Sequence, residues 1–357
     1  MNDTNEIRDM LVESATRLFA DHVDAKMLDA AKQSGWSPKL WAIVEQAQLP
    51  LVSIPEEAGG AGGTLSDLAA VLRVAGRYTA PIPLAETALA AWMLARAGLP
   101  IPQGPLTLGS VLGESVIAEQ RDGGWRLSGN LRRVPWARVA TRLVVLAQGP
   151  QGNLVACVDP ALCSITAGRN LAFEPRDDVT LDNVAVASPD IAPAPDDVSQ
   201  QSLRLRGALS RALLIAGGAE NALALAVRYA TERSQFGRKI GQFQAIQQEL
   251  ARCAGEVAAA VAAALSAAGA LERGTDAMLA VAAAKIRTAQ AAHECALIAH
   301  QVHGAIGVTA EYTLHHSTLR LWSWREEFGN EATWSIELGR AIANAGADQL
   351  WPALTAD

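Results

Sequence analysis

The sequence has 357 residues, half of them hydrophobic, and a formal net charge of −7 at pH 7. That length exceeds one ordinary core and predicts two or three domains. The acidic balance argues against bulk nucleic-acid binding, so any phosphate ligand must be held by local cations.

No uninterrupted apolar run reaches the ~18 residues of a membrane span. The polar start MNDTNEIRDM lacks the basic and apolar regions of a signal peptide. Cys157, Cys163, Cys253 and Cys295 have neither CxxC nor zinc spacing, and no two histidines have metal spacing. A soluble, cytoplasmic protein with reduced thiols and no metal is expected.

Residues 7–98 read as helical. Leu11, Ala15, Leu18 and Phe19 fall at i, i+4, i+7 and i+8, one apolar stripe. A helix over about 38–48 ends before LVSIPEE, and residues 58–63 form a glycine-rich loop. The next helix starts near Thr64 or Ser66, each a good N-cap, with Asp67 in its first turn. Pro81 and Pro83 separate it from a helix over 84–97. Between about 100 and 195 the runs SVIAEQ, GWRLSGN, ATRLVVLAQ, NLVACVD and DVTLDNVAV alternate with glycine and proline turns, a β pattern. IAPAPDD at 191–197 reads as the linker out of it. Beyond Ser199 helix returns. Ile246, Leu250, Cys253, Val257, Val261 and Leu265 keep helical spacing, and further helices run over about 276–302 and 330–344. The expected class is α+β, mostly α. It comprises an N-terminal helical domain (1–104), a central antiparallel β domain (105–195) and a C-terminal four-helix bundle (196–357).

Residues 229–248, YATERSQFGRKIGQFQAIQQ, interrupt this Ala-rich helix with a turn showing Arg233, Arg238, Lys239 and Phe236. A guanidinium fork binds phosphate bidentately and an aromatic ring offers stacking surface, which suits a dinucleotide. The alternative is a helix-terminal charge with a Phe packed under the turn. Together with QVHGAIG at 301–307, the string ERSQFGRKIGQFQAIQ closely resembles signatures of the acyl-CoA dehydrogenase family of flavoproteins. IPEEAGGAGG near Pro55 and GGWRLSGNLRRVPWARVATRLVVLA are weaker echoes, so the likeness spans essentially the whole chain.

The resemblance implies FAD, with Arg233 on its pyrophosphate, Phe236 near the adenosine, and Gln235, Ile240 and Phe243 along the same stretch. It implies a second FAD segment from Gln301 and Gly304, given to a neighbouring subunit, with Ala305 standing where the family has a second Gly. The implied reaction oxidises an acyl-CoA thioester to the trans-2-enoyl-CoA, a carboxylate taking the α-proton while the β-hydride goes to flavin. Fatty-acid or steroid side-chain degradation, electron-transfer flavoprotein as acceptor, and a homo- or hetero-oligomer (dimer or tetramer) follow from the same likeness.

Two departures stand out. Counting forward from Gln301, the family's catalytic Glu becomes Phe328, in REEFGNE at 325–331. Glu327 is then the candidate base after a one-residue shift, with Glu326 and Glu331 as alternatives; a solvated acidic turn is the competing reading. The other family position for the base, on the first bundle helix, has no carboxylate over 204–211. In the β region the family's Thr-Glu-Pro-x-x-Gly-Ser-Asp type segment is replaced by GPLTLGSVLGESVIAEQ, leaving Thr107, Ser110 and Ser115 as nearby hydroxyls, for which ordinary turn residues are the stronger reading, and Trp136 as a candidate backing for the flavin or equally a core residue. Such losses predict one subunit of a heteromer. A non-catalytic subunit, or a flavin oxidase or monooxygenase without CoA, are the other readings. His303 reads as a satisfied structural histidine, and His293, His300, His315 and His316 as helix-surface or interface residues.

Overall fold

The computed structural model describes residues 2–109, 113–121, 123–274, 277–309 and 311–355. The chain divides into two units, Met1–Ser210 and Arg211–Asp357.

The first unit opens with helices α1 (Asn2–His22), α2 (Ala25–Ser34), α3 (Pro38–Gln46), α4 (Leu65–Arg77) and α5 (Leu84–Arg96). Their starts follow from capping chemistry. Ser37 caps α3 with Pro38 in its first turn. Thr64, not Ser66, caps α4 in a reciprocal box: Asp67 N donates to Thr64 Oγ1 at 3.2 Å and Thr64 N donates to Asp67 Oδ2 at 2.9 Å. On α1, Ala15 and Phe19 are wholly buried.

Eight strands form one sheet: β1 (Leu106–Leu108), β2 (Val116–Arg121), β3 (Gly124–Pro135), β4 (Arg142–Gly149), β5 (Gly152–Val158), β6 (Ser164–Thr166), β7 (Arg176–Val186) and β8 (Ile191–Pro193). Most pairs are antiparallel as expected, but β1 and β2 both pair β4 in parallel. The stretch expected to be a linker begins as β8, an edge strand on β5, where its proline lacks only an outward N–H. β4 is buried on both faces, which explains its continuous apolar run. Leu143, Val145 and Ala147 join the sheet's inner core with Leu127 and Leu131. Val144 and Leu146 pack with Met93 and Leu94 of α5.

Helix α6 (Gln200–Glu232) runs into the second unit, followed by the short strands β9 (Ser234–Gln235) and β10 (Arg238–Lys239). Then come α7 (Gln244–Arg273), α8 (Ala277–His303), α9 (Leu314–Trp324), α10 (Glu331–Ala345) and α11 (Ala347–Thr355). α8 and α10 match the expected spans within a residue or two, and α7 extends well beyond the expected 246–265 spacing; α9 and α11 are additional. The expected apolar stripe of α7 is buried only in part: Cys253 and Val257 are buried, Leu265 is 38% exposed, and Ala260, Ala264 and Ala267 complete the buried face. Alanine carries too little hydrophobicity to mark a face, yet it lets helices approach closely. Among the described residues, α6 and α7 are long and apolar enough on composition to cross a membrane; 72% of the apolar window of α6 and 28% of that of α7 are buried within the protein.

Candidate functional site

In the second unit, α6 ends at Glu232 and the chain doubles back through a two-residue turn. Arg238 pairs with Gln235 and Lys239 with Ser234. Phe236 and Gly237 at the tip both have positive φ, 51° and 79°, as the primed hairpin turns require. Glycine adopts that conformation freely. A phenylalanine there is strained, and its ring is 90% exposed. Such strain at an exposed aromatic points to a ligand rather than to packing, so the alternative of a Phe buried under the turn fails.

Ile240 anchors the hairpin as its buried foot, and Ile240 N donates to Arg233 O at 2.9 Å. Arg238 lies over the Phe243 ring at 4.1 Å, and Phe236 meets the same ring edge-on at 6.2 Å. Lys239 Nζ donates to Glu232 O at 2.6 Å. Arg233, Gln235 and Phe236 are all exposed, and among the described residues the Arg233 guanidinium has no hydrogen-bond or ion-pair partner. Helix α7 then starts at Phe243 without a side-chain cap, leaving its first N–H groups facing outward.

The second segment lies at the end of α8. Gln301, Gly304 and Ala305 are exposed. Gly304 has φ +64° and no atom within 4 Å of where a Cβ would stand, so the glycine serves conformation and open access rather than tight packing. Ala305 needs no left-handed backbone, so its methyl is accommodated without strain. The two segments are joined from below: Tyr229, four residues before Arg233, stacks on His303 at 4.6 Å, and His303 meets Tyr312 at 4.7 Å. A free guanidinium, an exposed ring, an uncapped helix N-terminus and an open glycine turn together fit a dinucleotide with a pyrophosphate. Arg233, Phe236, Gln301 and Gly304 are the residues that would hold FAD.

The turn after α9 is built in the opposite way. Arg211 Nε donates to Glu327 Oε2 at 2.6 Å, with side-chain exposures of 2% and 10%. Phe328, with φ +55°, is buried and faces the Arg211 guanidinium at 5.3 Å. Trp334 Nε1 donates to Phe328 O at 3.0 Å. Lys285, fully buried on α8, donates through Nζ to Trp324 O at 3.2 Å and Arg325 O at 2.9 Å. Burial pushes this lysine down to about 7, partly opposed by the Glu327 carboxylate. Glu326 is half exposed, beside Arg325, and accepts from Asn330 Nδ2 at 3.3 Å. Glu331 opens α10 and accepts from Gln290 Nε2 at 3.1 Å. Thus Glu327 is no solvated turn residue: its side chain is largely shielded from water and held by the Arg211 guanidinium.

In the first unit, Thr107 is fully buried and its hydroxyl donates to Pro135 O, a structural bond. Ser115 is exposed, and Ser110 lies outside the described residues. Trp136 is 2% exposed with φ +59° and the Arg176 guanidinium 5.7 Å from its ring, so it belongs to the core. His316, expected at a helix surface or an interface, is buried within the chain, and His303 is buried with Nε2 unpartnered among the described residues.

Two sequence profiles match: "Acyl-CoA dehydrogenase, N-terminal domain" over residues 5–100 and "Acyl-CoA dehydrogenase, C-terminal domain" over residues 200–332. The chain is 32% identical over 315 residues to "Acyl-CoA dehydrogenase IpdE2" of Mycobacterium tuberculosis, covering 87% of this chain and 89% of that relative. It is similar to a chain of the ChsE4-ChsE5 complex from Mycobacterium tuberculosis, at TM-score 0.86 and 26% identity over 95% of this chain and 98% of that one. A variant of the Tcur3481-Tcur3483 steroid ACAD matches at TM-score 0.84 and 29% identity, over 96% and 99% of the two chains. The chain belongs to the acyl-CoA dehydrogenase family and is an FAD-dependent oxidoreductase of acyl-CoA thioesters.

Proposed function

We propose that this chain is one of two unlike subunits of a heteromeric acyl-CoA dehydrogenase acting on a steroid-derived acyl-CoA. In this reading Arg233, Gln235, Phe236, Ile240 and Phe243, with Gln301, Gly304 and Ala305, hold the pyrophosphate and adenosine half of an FAD shared across the subunit interface. Bound FAD supplies the hydride acceptor for the β-carbon. The α-proton is taken by a carboxylate of the other subunit.

The observation that carries the reading is the base position itself. By the resemblance that position falls on Phe328, which is buried, and the neighbouring Glu327 is committed to Arg211. The exposed Phe236 supports it, because the ring stands clear of its own chain. Similarity to a chain of the ChsE4-ChsE5 complex and to a steroid ACAD supports the heteromer and the substrate class. Four free cysteines suit a reducing compartment, and we assign the complex to the cytoplasm with electron-transfer flavoprotein as its acceptor.

The test is purification of the chain alone and with its co-expressed partner. The pair is expected to carry stoichiometric yellow FAD and to oxidise a steroid acyl-CoA faster than a straight-chain one. Full FAD loading with turnover by the chain alone would overturn the heteromer.

A further inference from the structure

His303 lies at the junction of the two cofactor segments and is 4% exposed. Its Nδ1 is 2.6 Å from Ala299 O. A carbonyl can only accept, so Nδ1 carries the proton and Nε2 of the neutral ring is a lone pair. That Nε2 is buried with no partner, as is the hydroxyl of Tyr312, whose ring packs against the imidazole.

One face of the imidazole stacks on Tyr229 with ring planes 24° apart. The following turn packs closely on the same residue. A Cβ on Gly307 would stand 2.9 Å from His303 Cβ and 3.2 Å from His300 Nδ1. His303 therefore stacks on the helix leading to the Arg233 hairpin, bonds the last turn of α8, and abuts the turn that begins at Gly304.

We propose that His303 is the positioning residue that fixes the spacing between the Arg233–Phe236 hairpin and the Gln301–Gly304 turn, and thereby the affinity for FAD. This rests on the reading of those segments as the cofactor site. It extends that reading to a residue that need not touch the cofactor.

The groups that face the ring are Arg228 and Tyr229 from α6, His300 from α8 and Tyr312 from the following turn; His315 of α9 acts on His300 in turn. Burial holds His303 below the usual histidine range, opposed by the bond to Ala299 O and reinforced by the Arg228 charge. A proton on Nε2 would be a buried charge without an acceptor. Acidification therefore loosens the joint, and FAD affinity falls as pH drops below the ordinary histidine range.

The experiment measures the FAD dissociation constant of the assembled complex from pH 5 to 8 by flavin fluorescence, for the wild type, His303→Phe and Arg233→Ala. The phenylalanine keeps the stack but loses the bond to Ala299 O. At pH 7.5 it is expected to weaken FAD about 10-fold, to flatten the pH dependence, and to leave kcat at saturating FAD unchanged. Wild-type affinity and pH profile in His303→Phe, with weakened binding in Arg233→Ala, would overturn this proposal alone. Unchanged binding in both variants would overturn the cofactor reading as well. Should His303→Phe not fold, Tyr229→Leu removes the stacking partner instead and is read by the same outcomes.

Discussion

Two ends of the second unit carry arginines of opposite kinds. Arg233 stands exposed beside a strained, 90% exposed Phe236, with no partner among the described residues. Arg211 is 2% exposed and holds Glu327 at 2.6 Å beneath the buried Phe328. An unpaired, solvated guanidinium loses little water on meeting a phosphate and gains a charge-assisted bond. A buried pair has already exchanged its water for a partner and has little to offer a substrate. One end is therefore open to an anionic ligand, and the other is committed within the fold.

The sharpest way to break this contrast is to remove the buried cation. Arg211→Met removes the cation bonded to the largely shielded Glu327 and is expected to cost about 3–5 kcal/mol, read as a lowered denaturation midpoint. Replacing both partners by apolar residues should recover most of that loss. An Arg211→Met protein as stable as the wild type would show that the pair is not structural.

Arg233→Ala should do the converse. The stability of the FAD-free chain is expected to stay within about 0.5 kcal/mol, while FAD binding weakens roughly 10- to 100-fold, the worth of one charged hydrogen bond. A stability loss with intact FAD binding would reverse the roles given to the two arginines.

Lys285 adds a pH signature to the buried end. Its folded value of about 7 lies below its unfolded value near 10.5, so between these the unfolded chain binds more protons. The contribution of Lys285 to stability therefore rises with pH across that window and is flat below it. The stability advantage of Lys285→Met over wild type should shrink between pH 7 and pH 10, measured by urea unfolding at each pH. A constant difference would mean that Lys285 stays charged in the folded protein.

The smallest expected effect is the most diagnostic for catalysis. Glu327→Gln in the assembled complex should change acyl-CoA turnover by no more than about 3-fold, whereas loss of a general base costs about 100- to 10,000-fold. A loss of that size with FAD still bound would make Glu327 the base after all.

Much of the binding end was legible in the sequence because its chemistry is local. A hairpin with Phe236-Gly237 at its tip, flanked by cations and followed by a helix start, is written within a dozen consecutive residues. The locked end was not legible, because Arg211 and Glu327 are 116 residues apart and no spacing rule links them. Beyond Cys253 and Val257, the buried face of α7 escaped notice because it is made of alanines. His303 read as a satisfied histidine because nothing in QVHGAIG signals that Tyr229 and Tyr312 close over its ring.

The sequence by itself determined the family and the order of helices, sheet and bundle, and named the candidate residues for FAD, since these depend on periodicity, caps and short motifs. Only the tertiary structure decided which charges are free to act. That depends on desolvation and on partners from distant segments. Folding exposes Arg233 and Phe236, buries Trp136 and Phe328 in the core, and commits Glu327 to Arg211.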